Sequence, residues 1–141
     1  MSAVEVVAQQ LAPGVTTDVL HDGQIVRYNI TTVHQEFIDK WIEHLDRVMM
    51  TWDHVHPRLL LLEMHGTPLT PYIRKVTQDI AKKHGRVSGR TAIVVKKTLV
   101  TQVIRFFVER VLARPGHQLR ERRLFFFSTE ALAWLEEAIK K

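Results

Sequence analysis

The chain has 141 residues, 45% hydrophobic and 25% charged, with six Gly and five Pro; this fits one domain with a core of its own and excludes disordered, collagen-like and low-complexity chains. The absence of cysteine excludes disulfide scaffolds, thiolate zinc sites, iron–sulfur clusters and cysteine nucleophiles, and leaves the redox compartment open. The net charge of +5 joins two unlike halves: residues 1–71 hold four Lys/Arg against nine Asp/Glu, net −5, and residues 72–141 hold sixteen against six, net +10.

Residues 1–14 read as an N-terminal arm, with a short apolar piece from Val4 to Leu11 ended by Ala12-Pro13-Gly14. Residues 15–141 read as a single domain. Val19-Leu20 and the alternating Val26, Tyr28 and Ile30 flank Asp22-Gly23, a dipeptide that favours a tight hairpin turn, so two antiparallel strands are expected. From His34 to Trp52 the period changes. Phe37, Ile38, Trp41, Ile42, Leu45, Val48, Met49 and Trp52 recur every three or four residues and form one stripe of a helix, while Glu36/Lys40 and Glu43/Arg47 are acid-first i,i+4 pairs on its other face.

Leu59 to Leu62 is an apolar run too short for a helix, which suits a central strand covered on both faces. Thr70-Pro71 is a helix start, since the Thr hydroxyl can cap free amides and Pro at the first position lacks only an N–H that would be unpaired. Ile73, Val76 and Ile80 line that helix and Gly85 ends it. After the loop Gly85–Arg90, Thr91 to Val95 repeats the buried-strand pattern. A third helix over Thr98–Ala113 carries too many apolar residues for one stripe, Val103, Phe106, Phe107, Val108 and Leu112 among them. Either neighbouring helices cover its second side, or a partner or a second copy of the chain does. Pro115-Gly116 closes it, Leu119–Phe127 reads as a last strand with two alternate aromatics in the core, and Ser128 reads as the cap of a final helix carrying Ala131, Leu132, Trp134, Leu135, Ala138 and Ile139. The order ββαβαβαβα predicts an α/β fold: a mixed sheet with an N-terminal antiparallel hairpin, parallel later strands and four helices.

Chemistry is sparse. Serine occurs only at positions 2, 88 and 128, none in a nucleophile elbow, and neither a dinucleotide fingerprint nor a phosphate loop is present. His54-x-His56, beside Asp53 and ten residues after His44, has residue types that suit zinc, but two-residue spacing past a helix end is weak for a metal and suits the helix dipole equally. No metal and no cofactor are expected. Glu63 stands where a central strand ends and a ligand crevice could open. The basic residues of the second half could contact phosphates of nucleic acid or an anionic lipid surface, although no reading motif accompanies them. No apolar stretch approaches the ~18 residues of a membrane span, and Met1–Gly14 lacks the features of a leader; a cytoplasmic protein is the expectation.

Three segments carry a family resemblance: Leu59-Leu60-Leu61-Leu62-Glu63-Met64-His65-Gly66, Arg90-Thr91-Ala92-Ile93-Val94-Val95, and the aromatic strand and helix start from Leu124 to Leu135 with Ala131-x-x-Trp134-Leu135. With the order of elements, they make Val15–Lys141 similar to the STAS-type domain, and more narrowly to its SpoIIAA-like and STAS/SEC14-like members. The resemblance implies a non-catalytic regulatory module that binds a protein partner near the N-terminus of its second helix. The family's phosphorylated Asp-Ser-Ser-Gly is replaced here: Glu63 stands at the strand-end Asp, and Thr67-Pro68-Leu69-Thr70-Pro71-Tyr72 fills the switch segment. The binding residues it implies are Glu63, His65, Thr67, Thr70 and Tyr72, with Thr70 as phosphoacceptor, and Val103, Phe106 and Phe107 are the expected interface on the third helix.

Overall fold

In the computed structural model, residues 8–51, 56–64, 67–84, 87–107 and 120–139 are described, Phe107 and Arg120 by backbone only. Six strands form one sheet in chain order, β1 (Gln9–Ala12), β2 (Val15–Leu20), β3 (Ile25–Ile30), β4 (Arg58–Met64), β5 (Gly89–Val95) and β6 (Arg120–Phe125). The first three are antiparallel and β3 to β6 are parallel. Each parallel step crosses over through a helix, as parallel pairing requires: α1 (Gln35–Met50), α2 (Pro71–Lys83) and α3 (Leu99–Phe107), with α4 (Ser128–Ile139) after β6. The α/β architecture expected from the sequence is therefore present.

The sheet has one strand more than the sequence pattern suggested. Gln9–Ala12, assigned above to the arm, pairs antiparallel with β2, with an irregular register between Gln10 and Ala12. The expected hairpin turn lies at His21–Gln24, where the Gln24 N–H donates to His21 O at 3.1 Å and His21, Asp22 and Gly23 all have positive φ.

Two apolar layers enclose the sheet. Leu60, Leu62 and Met64 of β4 join Ile38, Trp41, Leu45 and Met49 of α1 and Ile73 of α2. Leu59 and Leu61, pointing the other way, join Ala92, Val94, Phe125 and, from α4, Ala131, Trp134 and Leu135. The run Leu59–Leu62 is thus buried from both sides, as its lack of alternation implied. The same two-sided cover corrects the reading of the aromatic run: the buried pair is the consecutive Phe125 and Phe126, one in each layer, and Phe127 is exposed.

Local chemistry sets the helix starts. Thr70 caps α2, its hydroxyl accepting from the Ile73 N–H at 3.2 Å, with Pro71 at the first position. At α3 the Thr98 N–H donates to Thr101 Oγ1 at 2.8 Å and the Thr101 N–H to Thr98 Oγ1 at 3.1 Å; Thr101 also donates to Lys96 O at 2.7 Å, which turns this polar residue inward. Ser128 departs from expectation. It is the first residue of α4, the Ala131 N–H bonds to Phe127 O, and the Ser128 hydroxyl donates to Glu63 Oε1 at 2.7 Å. The β4–β5 pairing begins with Gly89 opposite Arg58, and the Arg58 N–H donates to Ser88 O at 2.8 Å.

One ionic cluster ties α1 to the end of α2. Asp46 lies 2.7 Å from His84 Nε2 and 3.0 Å from Lys83 Nζ, and these bonds hold its carboxyl below the usual carboxylate range. Because protonation is harder in the fold than in the unfolded chain, the contribution is complete above about pH 4 and is lost as pH falls through the lowered folded value. Unfolding midpoints followed into acid should fall more steeply in the wild type than in Asp46→Asn, whose cost at neutral pH should be about 1 kcal/mol. Equal slopes would show that the cluster contributes nothing.

Candidate functional site

The carboxyl ends of β3 to β6 lie along one edge of the sheet, the edge where open α/β sheets place ligand crevices. The described members of the sequence-predicted set, Glu63, Thr67, Thr70 and Tyr72, lie along the β4–α2 connection, each with a partner of its own. Glu63, paired across the ladder with Asn29, accepts the Ser128 hydroxyl. With Asp18 as the larger influence, it helps raise the pKa of Arg27. Thr67 is buried and donates to Ile30 O at 2.7 Å, stitching the connection to the end of β3. Thr70 is the α2 cap. Tyr72 donates its hydroxyl to Asp39 of α1, a bond that raises its pKa. His65 lies outside the described residues.

These contacts divide the predicted set between the two sides of the sheet. Glu63 alternates with Leu59 and Leu61 toward the α4 layer, whereas Thr70 and Tyr72 sit with α1 and α2. A phosphate on Thr67 would have to break a buried bond; on Thr70 it would meet the free amides of a helix start, which favour negative charge.

Farther along the same edge, α3 turns its apolar residues outward. Leu99 is 78% exposed, Val103 and Phe106 each 62%, and Val100 and Phe127 are also exposed. Among the described apolar side chains of α3, only Ile104 packs on the core. The residues Val103 and Phe106 of the expected interface are therefore exposed; Phe107's side chain, Val108 and Leu112 lie outside the description. The strip borders a cleft of about 540 Å³ lined by Lys97, Gln102, Arg105, Phe106, Phe126, Phe127 and Glu130. Lys97 Nζ is 5.9 Å and Arg105 Cζ 5.2 Å from the Phe126 ring centroid, within cation–π range. Sequence reasoning did not single out this cleft. Lys97 directly before the helix and the aromatic run ending at Phe127 were its only signals, separated by roughly 30 residues of chain.

Other basic residues of the second half serve the fold. Arg90 donates to Trp134 O at 2.7 Å and ion-pairs with Glu121 and Glu137; Arg123 lies over the Trp134 ring; Arg122 donates to Ala81 O. His44, considered above as a metal ligand, shares a 2.8 Å hydrogen bond with the Tyr28 hydroxyl, and burial lowers its pKa, with Arg47 adding to the effect. Among the described residues no three His, Asp or Glu side chains converge on a metal position; Asp53 and His54 lie outside them. No described helix is long and apolar enough to cross a membrane. No family model, curated protein or solved structure matches the chain.

Proposed function

We propose that the chain is a non-catalytic regulatory or binding module of the SpoIIAA-like, STAS type, which engages a protein partner along the edge running from the start of α2 to the outer face of α3. The observation that supports this reading is the row of exposed Leu99, Val100, Val103, Phe106 and Phe127. Burial of apolar surface is favourable by about 25 cal/mol per Å², and contiguous apolar surface of this kind marks contact sites in soluble domains. The side-chain bonds of Thr67, Thr70 and Tyr72 hold the neighbouring connection in one shape, which limits the ordering cost of binding. Thr70 is the residue at this edge best placed to carry a regulatory phosphate.

The test is capture of the native protein from its own cells, with mass measurement of the complex and of any phosphate on Thr67 or Thr70. Val103→Asp and Phe106→Asp should each remove the partner, weakening binding by roughly 30-fold or more, with little loss of stability because both side chains are already exposed. Repeated recovery of the unmodified protein alone, or full binding by both variants, would overturn the reading.

A further inference from the structure

Charge on the edge that carries the α3 strip is one-sided. Between Asp79 and Glu109 the sequence holds seven Lys/Arg and no Asp or Glu. Two of these cations, Lys96 and Lys97, are exposed directly before α3, next to the apolar strip of Leu99, Val100, Val103 and Phe106. The cleft beside the strip repeats this pairing of cation and apolar surface. Phe126 is buried and lies within cation–π range of Lys97 and Arg105, while Phe106 and Phe127 are exposed in the same cleft. A cation–π contact holds the Lys97 ammonium in place without cancelling its charge. Among the described lining residues, Glu130 is the one carboxylate.

Several kinds of occupant would meet the cations. Nucleic acid would leave the aliphatic Leu99, Val100 and Val103 unmatched, and a bilayer surface does not enter a cleft. A second copy docked face to face would set like charges together. A peptide segment meets every part of the surface: it brings apolar side chains for the strip and the cleft, carboxylates for Lys96 and Lys97, and backbone N–H donors for Glu130. We infer that the occupant is an acidic, apolar segment of a partner protein, with Asp or Glu beside its apolar anchors meeting Lys96 and Lys97. This rests on the partner-binding reading of the same edge and adds the partner's chemistry.

The test is selection from a random peptide library displayed on phage, with the full chain as bait. Selected sequences should join Asp or Glu to Leu, Phe or Trp, and their affinity should fall steeply as salt is raised. A synthetic copy of the best sequence should bind Lys97→Glu roughly tenfold more weakly than wild type. Changing its acidic residues to Lys should reverse that preference. Phe106→Asp should bind neither peptide, and because both altered positions are exposed, the amide NMR spectrum of each variant should remain that of the folded chain. Selected peptides that lack acidic residues, or that are lost with Phe106→Asp but indifferent to Lys97→Glu, would overturn the acidic partner and leave the contact surface standing. The absence of any peptide sensitive to Phe106→Asp would overturn both. So would self-association through this edge, or tighter binding to phosphatidylserine vesicles or a single-stranded oligonucleotide than to any peptide.

Discussion

Replacing Gly89 by Ala is expected to lower stability by on the order of 4 kcal/mol, an unusually large effect for one added methyl group. Gly89 has φ +144°, a conformation L side chains rarely adopt, and it begins β5 directly opposite Arg58. A Cβ at this position would lie 2.0 Å from the Arg58 carbonyl oxygen and 2.7 Å from its carbonyl carbon and nitrogen. Those atoms are backbone of a central strand and cannot swing aside as a side chain would. Relief requires opening the first rungs of the β4–β5 ladder and the bond between Arg58 N–H and Ser88 O. Gly23→Ala is the control: its φ is +87°, but a Cβ there meets nothing within 4 Å, so only the left-handed penalty of about 1 kcal/mol applies. Urea denaturation of the two variants decides the matter, and equal losses would show that the close approach at Arg58 is not real.

Trp134→Ala should cost about 4 kcal/mol, near the upper range for truncating a buried aromatic. Trp134 is one of three buried residues, with Ala131 and Leu135, by which α4 joins the second layer. Its ring lies 5.6 Å from that of Phe125, and the guanidinium carbons of Arg90 and Arg123 stand 4.8 Å and 5.0 Å from its centroid. Arg90 also donates to the Trp134 carbonyl. Removing the ring leaves a cavity and deprives two cations of their aromatic face in one step. Trp134→Phe keeps a ring between Phe125 and the two guanidinium groups, and should lose less than half as much. Equilibrium unfolding measures both; a loss under about 1 kcal/mol for the alanine variant would mean that α4 is held mainly by other contacts.

What was legible in the sequence followed from residues whose environment is set by near neighbours. The α1 stripe and the run Leu59–Leu62 announced their burial because helical period and missing alternation are direct imprints of one-sided and two-sided cover. The Thr70-Pro71 start was legible for the same reason, since the cap reaches only three residues ahead. β1 was not, because an edge strand opening with Gln9 and Gln10 shows no apolar alternation and is defined by its pairing with β2. The orientation of α3 was also hidden. Apolar residues surround that helix, and the inward side is selected by Thr98, Thr101 and Ile104. At the candidate site the residue types of the β4–α2 connection could be read, but not their partners: Glu63 meets Ser128 across 65 positions, and Thr67 meets Ile30 across 37. Pairings of that span are products of the finished sheet.

Strand order equal to chain order has a consequence for how the sheet is built. Every strand pairs with the one made just before it, so no gap is left for a later segment to enter, although each parallel step still joins residues far apart in the chain, such as Ile25 with Leu59 and Gly89 with Arg120, pairings that form slowly. Growth has a single advancing edge. Among the described elements, the helix that covers the second layer follows all six strands, so Leu59, Leu61, Ala92, Val94 and Phe125 lack this cover until residues 128–139 have left the ribosome. Exposed apolar sheet is the surface on which nascent chains aggregate, and in this topology its protection depends on synthesis reaching the end of α4.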